Sequence, residues 1–505
     1  MPKRHVKRRD VQHLQHMSIA ELSAPRKLRE RKRLIQTNIS KVFQDTIFSI
    51  PELRAVITSF LTIAEIRALV CVCRAWNEFW IPSLYQSMHA ANYKRTRVYP
   101  KVGKFGHHVQ ALRVVNTKIQ GALHLIDHLP HLRRLSLGEL LLSSSEVEEV
   151  LSVVPDRLSY LDIALRSTCK DAREVPWIPE SVFQSIARLQ SLQSLIFGAV
   201  GMTLHVNDIL HILKACPRLL SLELKNLKVL YLHPSRIVDQ ETADSTDPPV
   251  HVALKISDQD IAGLYVGRQL EVLKIYNGYI SDIALLRLLG VDLVPLHSSS
   301  HFVSTERYTV GTRQHSLVHL HVDYCYSLTH RSAARILQDC DRLQTVELDR
   351  TNIATIELFE DTNVWRCASS IQSLSLDIKP VEFESKYYFN HHLALHDGVP
   401  ALFAKEQRRI RDRLQSLVSL RQLKLTGYPI DFTVVEDMSF AKRLETARVE
   451  LMARVAYVQV ESQMAGLVSR ASEWEKRQPE GWCCAFWRGN ASRPSTFSLN
   501  YSRKQ

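Results

Sequence analysis

From residue 109 onward, hydrophobic side chains follow a six-residue pattern in which positions one, four and six are apolar. Alternation of positions four and six is typical of a β-strand with one buried face. Five of the first nine intervals between pattern starts fall within the roughly 20–29 residues that a repeat of one strand and one helix occupies. The starts, the last of them degenerate, are Val109, Leu132, Leu158, Leu192, Leu219, Leu270, Leu317, Leu343, Ile371, Leu420 and Leu444. The pattern predicts an α/β solenoid of about 10–11 repeats, since one unit cannot bury its strand face alone.

The other four intervals are longer. They run from Leu158 to Leu192, Leu219 to Leu270, Leu270 to Leu317 and Ile371 to Leu420. Each of the last three, which are the longest, contains either a degenerate repeat or a loop insertion. Polar, turn-rich stretches at 236–249 and 297–312 favour insertions, and the segment 379–400 is mixed in character. We therefore expect loop insertions near 233–251, 291–315 and 379–410.

Residues 47–85 predict three short helices. Pro51 suits a first helical turn, and Thr62 followed by Glu65 has the spacing of a capping box. We expect Pro82 to end the third helix. A core of three short helices is marginal alone and needs a larger partner surface.

Charge is concentrated at the N-terminus. From Met1 to Ser40, eleven side chains are basic and three acidic, so this segment carries +8 of the net +13 and leaves +5 for the rest of the chain. Residues 1–44 indicate a basic disordered tail, an import signal or a phosphate-binding arm. A nearly neutral body argues against a body-wide nucleic-acid surface.

Targeting features are few. No apolar run approaches the roughly 18 residues that a membrane-spanning helix needs, and the basic N-terminus lacks an apolar core segment. We therefore expect no membrane span and no signal peptide. Nine cysteines without dense spacing indicate reduced thiols in the cytoplasm and/or nucleus. Four of them keep a fixed place in the repeat and are expected to be small buried residues: Cys216, Cys325, Cys340 and Cys367.

The sequence lacks the motifs of common enzymes. There is no P-loop, no G-x-G-x-x-G, no H-E-x-x-H, no C-x-x-C and no G-x-S-x-G. A repeat solenoid also offers a long open surface rather than a closed pocket. We expect a non-catalytic binding protein with no cofactor.

The N-terminal helices, within 47–85, resemble the F-box motif. The Leu-Pro start of that motif is matched by Ile50-Pro51-Glu52-Leu53, and its Asp-Leu pair is replaced by Glu65-Ile66. The closing Val72-Cys73-Arg74-Ala75-Trp76 matches fully. An ordinary three-helix cap on a larger domain is the alternative.

The stretch CYSLTHRSAARILQDCDRLQTVEL resembles the cysteine-containing leucine-rich repeat found behind many F-boxes. The resemblance implies an F-box at 45–90, a linker at 91–106, leucine-rich repeats at 107–451, and a C-terminal helix (452–474) and cap within 452–505. It also implies a substrate receptor of an SCF-type cullin–RING ubiquitin ligase. The F-box would dock the S-phase-kinase-associated adaptor, and through it the cullin. The adaptor-binding residues carried over by position are Ile50, Pro51, Leu53, Ile57, Leu61, Ile66, Leu69, Val72 and Trp76.

Strand positions three, five and seven should face the concave side of the solenoid. In three consecutive repeats they place Asp323, Asp349 and Asp377 in an acidic column. We expect this column to meet a basic segment of a protein client. The proposed client-binding residues are His319, His321, Asp323, Glu347, Asp349 and Asp377. Alternatives are a solvated face neutralised by Arg350 and Lys379, or a metal site at the two histidines and Asp323.

Two other functions stay open. The chain could be a repeat scaffold without a ligase role, in which the three helices serve only as an N-terminal cap. It could also be a nucleic-acid-associated factor that acts through its basic arm.

Overall fold

The computed structural model divides into two compact units, residues 1–87 and 88–505, which are described separately. The residues that the structure describes are 50–72, 74–91, 102–167, 176–230, 269–291, 315–351, 354, 356–360, 365–378, 399–430, 434, 445–452, 482–488 and 496–503.

The described residues of the first unit, which begin at Ile50, form three helices: α1 (Pro51–Ser59), α2 (Ile63–Val70) and α3 (Arg74–Tyr85). Helix α1 has its proline in the first turn. The predicted capping box is confirmed, because the Thr62 hydroxyl accepts from the Glu65 amide and the Glu65 carboxylate accepts from the Thr62 amide.

The prediction that Pro82 ends the third helix is wrong, because α3 continues to Tyr85. A proline inside a helix removes one hydrogen bond and its ring clashes with the preceding turn, but its φ fits a helix, so a kink can replace a stop. Trp80, two residues before Pro82 in the same helix, is buried.

The described residues of the second unit form a sheet of 15 strands in which most neighbours along the chain are also neighbours in space. The described part of the chain contains eleven strands in one parallel run, and each begins two residues after a pattern start. The strands of this run are β2 (Ala111–Val115), β3 (Arg134–Ser136), β4 (Tyr160–Arg166), β5 (Ser194–His205), β6 (Ser221–Leu230), β7 (Val272–Tyr276), β9 (His319–Asp323), β10 (Thr345–Asp349), β11 (Ser373–Asp377), β12 (Gln422–Ile430) and β13 (Thr446–Met452). Strand β1 (Ser87–Ala91) lies at one edge, although the sequence assigned these residues to the F-box and linker. The two-residue β8 (Tyr279–Ile280) pairs with β6.

The strands on either side of the three longest intervals pair directly with each other. Ser221 pairs with Val272, Val272 with His319, and Ser373 with Gln422. Neighbouring strands lie about 4.8 Å apart, so these pairs leave no room in the sheet for a hidden repeat strand. This arrangement favours insertions, and most residues of the first two lie outside the described ranges.

Helices alternate with the strands, as the α/β prediction requires. They are α4 (Ile119–Asp127), α5 (Ser144–Val153), α6 (Glu180–Ala187), α7 (Val206–Ala215), α8 (Asp282–Leu289), α9 (His330–Asp339) and α10 (Val399–Gln415), with 3-10 turns at Ile356–Phe359 and Arg366–Ser369. Helix α10 corrects the prediction of a loop at 379–410. Its Ile410 and Leu414 are one turn apart and both buried, so hydrophobic burial makes this segment a repeat helix.

The core of the repeats follows the six-residue pattern. In the repeat that starts at Leu343, this leucine, Val346 and Leu348 are all buried. Repetition of these positions produces a continuous core along the sheet. The hydrophobic pattern therefore predicted the inward face correctly.

The four repeat cysteines are completely buried, as predicted. The thiol of Cys216 donates to the Leu189 carbonyl of the preceding repeat, and that of Cys367 donates to the Leu337 carbonyl. Burial raises the pKa of the Cys216 and Cys325 thiols to about 11, and that of Cys367 to about 12. These thiols are therefore protonated core groups rather than nucleophiles.

The C-terminal end of the sheet is antiparallel. Strand β15 (Thr496–Arg503) pairs antiparallel with β13, and β14 (Trp482–Arg488) pairs antiparallel with β15. The helix predicted at 452–474 lies outside the described residues except for Met452, which ends β13. Within the described ranges, no helix is both long enough and apolar enough to cross a bilayer.

Candidate functional site

The first candidate surface is an exposed apolar face on α1 and α2. We define the apolar face as Ile50, Leu53, Val56, Phe60, Ile63 and Val72, all of which are exposed. Phe60 is 82% exposed and Ile63 is 64% exposed. Contiguous exposure of large apolar side chains usually marks a binding site.

Helix geometry accounts for this face. Leu53, Val56 and Phe60 follow one another at three and four residues, so they lie along one side of α1 and its C-terminal end. The capping box at Thr62 starts α2 immediately afterwards and places Ile63 at its first position. The hydrogen bond from the Thr62 amide also lowers the pKa of the exposed Glu65 carboxyl.

The structure separates the predicted adaptor-binding residues into groups. Three are exposed, namely Ile50, Leu53 and Val72, whereas Ile66 is only 4% exposed and belongs to the core of the unit. Pro51 occupies the first turn of α1. The remaining four are half-buried, namely Ile57, Leu61, Leu69 and Trp76.

Three members of the apolar face, Val56, Phe60 and Ile63, were not among the predicted adaptor-binding residues. Val56 and Phe60 do follow the helical spacing of α1, and this was the available signal. Spacing alone does not show which side of a short helix is covered, so the packing of Ile66 and Trp80 was needed to distinguish the two sides.

The second candidate surface is the sheet face formed by strand positions three, five and seven of β7 to β12, which was predicted to be the concave side. Its side chains stand in register across β9, β10 and β11: Thr345 lies between His319 and Ser373, and Glu347 lies between His321 and Ser375. Asp323 lies beside Asp349, and Asp377 lies beside Thr426 of β12. The structure therefore brings the predicted client-binding residues onto neighbouring strands.

Each carboxylate of this surface already has a partner. Asp323 is 8% exposed and accepts two hydrogen bonds from Arg350, at 3.0 and 2.8 Å. Asp349 accepts from Lys424 at 2.9 Å and from the Ser375 hydroxyl at 2.7 Å. This network neutralises most of the column from within the protein.

Other side chains of the surface also have partners. His321 bonds through Nδ1 to the Glu347 carboxylate, and its ring lies 4.6 Å from the Tyr276 ring. Asp377 accepts from the Thr426 hydroxyl. Arg350 pairs with Asp323 and so neutralises part of the column, as the solvated-face alternative proposed. Lys379, the other residue named in that alternative, lies outside the described residues. The second cation in the structure is Lys424, which pairs with Asp349.

Local contacts set the ionisation of two carboxyls. The hydrogen bond from His321 lowers the pKa of Glu347. Burial raises the pKa of Asp349, but the hydrogen bonds from Lys424 and Ser375 outweigh that effect and lower it overall. Both groups are therefore charged at neutral pH.

The structure gives no support to the metal alternative. Within the described ranges, no group of three or more His, Cys, Asp or Glu side chains is arranged to hold a metal ion. Asp323 points its oxygens at Arg350, and His321 uses its Nδ1 for Glu347, so these two side chains serve other contacts.

Replacing Lys424 with Met removes the cation beside Asp349 and should lower the free energy of unfolding at pH 7 by about 1 kcal/mol. The pKa of Asp349 in the fold lies below its ordinary value of 3.8. Its contribution is therefore present above pH 3.8 and is lost as the pH falls through the folded pKa. The difference between wild type and variant in urea titrations should shrink in acid.

A matched control is Arg421→Met, which breaks an exposed ion pair with Glu445 at 3.8 Å. Exposed pairs contribute about 0–1 kcal/mol, so this variant should remain near wild type. Equal midpoints for Lys424→Met and wild type at pH 7 would contradict a stabilising role for the Asp349 pair.

No protein-family model matches the chain, and no curated protein is similar to it. Many solved structures are similar to it, among them three that match over most of its length. The chain of a TLR13–ssRNA13 complex is 14% identical with a TM-score of 0.40, over 74% of this chain and 41% of that one. A chain of the Rad7 and Elc1 complex from yeast is 13% identical with a TM-score of 0.39, and the match covers 85% of this chain and 92% of that one. The leucine-rich repeat-containing protein LegL7 from Legionella pneumophila is 11% identical with a TM-score of 0.29, and the match covers 70% of this chain and 97% of that one.

This chain thus spans less than half of the TLR13 chain, and all three TM-scores are below 0.5. The fold rests on the chain's own features. Eleven parallel strands, each beginning two residues after a copy of the same pattern and alternating with helices, form an α/β repeat architecture.

Proposed function

We propose that this protein is a substrate receptor of an SCF-type cullin–RING ubiquitin ligase. The apolar face of α1 and α2 binds the adaptor subunit and through it the cullin. The repeats hold a protein client in the cytoplasm or nucleus. The receptor carries out no bond chemistry, and its effect is to raise the effective concentration of a client lysine near the conjugating enzyme.

The observation that carries this proposal is the apolar face itself. Six large apolar side chains are exposed between residues 50 and 72, on or beside α1 and α2, and the capping box at Thr62 fixes the start of α2. Exposure of Phe60 and Ile63 to water is unfavourable, and burial against a partner would remove that cost. An apolar partner groove is the surface that an amphipathic helix fits.

The client site proposed on the repeats comprises His319, His321, Asp323, Glu347, Asp349 and Asp377. Because these charges are largely paired inside the protein, a client would meet a nearly neutral hydrogen-bonding surface. A basic segment would have to compete with Arg350 and Lys424 for the same carboxylates.

Adaptor binding tests the proposal directly. The full chain and the purified adaptor should form a 1:1 complex in isothermal titration calorimetry. Phe60→Asp should weaken it at least about tenfold, because it places a charge in the centre of an apolar contact. Val418→Asp is the matched control, since Val418 is an exposed apolar residue of the repeats and its loss should leave adaptor binding unchanged.

Circular dichroism should show both variants to be folded. A folded wild-type chain that does not bind the adaptor would exclude the ligase role and favour the repeat scaffold. Binding to a DNA duplex that falls steeply with salt, without adaptor binding, would favour the nucleic-acid alternative.

A further inference from the structure

We infer that the edge of the sheet at the C-terminal ends of β7, β9 and β10 is a preorganised docking surface for an uncharged, apolar segment of a client protein. We call this surface the tyrosine rim and define it as Tyr279, Tyr324, Tyr326 and Arg350. The inference rests on the proposed function and moves the main client contact from the concave carboxylates to this edge.

Exposure distinguishes these tyrosines. Among the repeat tyrosines whose side-chain exposure the structure describes, Tyr279, Tyr324 and Tyr326 are the exposed ones, and Tyr279 is 64% exposed. Tyr160 and Tyr276, on the concave side, are half-buried. Tyrosine and arginine are enriched at the energetic centres of protein interfaces because they combine apolar area with a polar end.

The backbone at two rim residues is unusual. Tyr324 has φ of 54° and Arg350 has φ of 48°, a left-handed conformation that bulky residues rarely adopt. The corresponding positions of the two preceding strands are Asn226 and Asn277, which adopt the same conformation. Asparagine suits it better. The rim thus keeps larger side chains at positions where asparagine is less strained, which is typical of a functional surface.

The side chains of the rim are held rigidly. The Arg350 guanidinium lies 3.9 Å from the centre of the Tyr324 ring and also bonds to its hydroxyl. The buried Asp323 carboxylate accepts two hydrogen bonds from the same guanidinium and so restricts its position. Tyr326 meets Tyr324 edge-on, with ring centres 6.5 Å apart. A rigid aromatic surface loses little conformational entropy when a partner binds.

Tyr279 belongs to the same edge. Its strand β8 is linked to the segment after β9 by a hydrogen bond of 2.9 Å from the Ser327 hydroxyl to the Ile280 carbonyl. The Asn277 amide also donates to the Asp323 carbonyl. These two bonds hold the segment containing Tyr279 beside the segment containing Tyr324 and Tyr326.

The charges at the rim indicate the chemistry of the partner. Asp323 satisfies the Arg350 guanidinium, and the nearby Asp282 carboxylate accepts from the amide and the hydroxyl of Thr329. What the rim offers to a partner is therefore aromatic area and phenol hydroxyls. An uncharged segment with apolar side chains complements it better than a basic one.

Peptide selection on the full chain tests this inference. The probe is a phage-displayed library of short random peptides, and the readout is the composition and affinity of the enriched sequences. We expect apolar peptides without net charge. Tyr324→Asn together with Tyr326→Ser should weaken their binding at least about tenfold in fluorescence anisotropy. Lys424→Met, which alters the concave carboxylates, should leave it unchanged.

The choice of Asn at position 324 protects the fold, because it suits the left-handed backbone better than tyrosine does. Enrichment of basic peptides, no enrichment at all, or binding unaffected by the rim variant would each overturn the inference. Adaptor binding by the rim variant is the separate readout of the proposed function, and it should equal that of wild type.

Discussion

Leu348→Ala should lower the free energy of unfolding by about 2–5 kcal/mol, the range for removal of a buried leucine side chain. Leu348 is 1% exposed and lies in register between Val322 of β9 and Leu376 of β11, both also buried. The shortened side chain leaves a cavity that rigid neighbouring strands cannot close. Urea unfolding followed by circular dichroism should show a lower midpoint.

Thr345→Ala is the matched control in the same strand. Thr345 is half-buried on the opposite face. Thr345→Ala should therefore lower the free energy of unfolding by well under half as much as Leu348→Ala does. Similar midpoints for the two variants would contradict the assignment of the inward face. Since each repeat stacks on the next, the damage should extend beyond β10 and lower the stability of neighbouring repeats.

Gly427→Ala is the second substitution with a large expected effect. Gly427 has φ of 89°, and an added Cβ would lie 2.5 Å from the Ile378 carbonyl oxygen and 2.6 Å from a carboxylate oxygen of Asp377. The backbone conformation costs about 1–2 kcal/mol for alanine, and overpacking adds about 1–3 kcal/mol. A clearly lower thermal midpoint is the expected result.

Two other glycines separate these contributions. At Gly201, with φ of 67°, nothing lies within 4 Å of an added Cβ, so Gly201→Ala should show the conformational cost alone. At Gly103 the added Cβ also meets nothing, and Gly103→Ala should be close to neutral. If Gly427→Ala were no more destabilising than Gly201→Ala, the close approach to Ile378 would contribute nothing to the loss of stability.

The repeat strands could be predicted from the sequence because their signal is local. Positions one, four and six must be apolar in each unit, so every start from Val109 to Leu444 predicts its own strand without reference to the others. The capping box at Thr62 is local in the same sense. Two local signals gave wrong predictions. Pro82 was expected to end a helix that continues to Tyr85, and the segment before Ile410 was expected to be a loop but belongs to helix α10.

The candidate surfaces depended more on packing. The concave positions could be predicted from strand alternation, but the cation beside Asp349 comes from Lys424, 75 residues away. The sequence suggested Arg350 as a neutralising group, and the structure shows it bound to Asp323 and stacked on Tyr324. Long-range partners of this kind depend on which strands become neighbours.

By itself, the sequence determined the repeat strands, their inward faces and the three N-terminal helices, because apolar periodicity acts within one unit. Only the tertiary structure decided that strands on either side of the long intervals pair directly. It alone separated exposed Phe60 from buried Ile66, and it alone showed the carboxylates to be paired. These features depend on contacts between residues far apart in the chain, which periodicity does not encode.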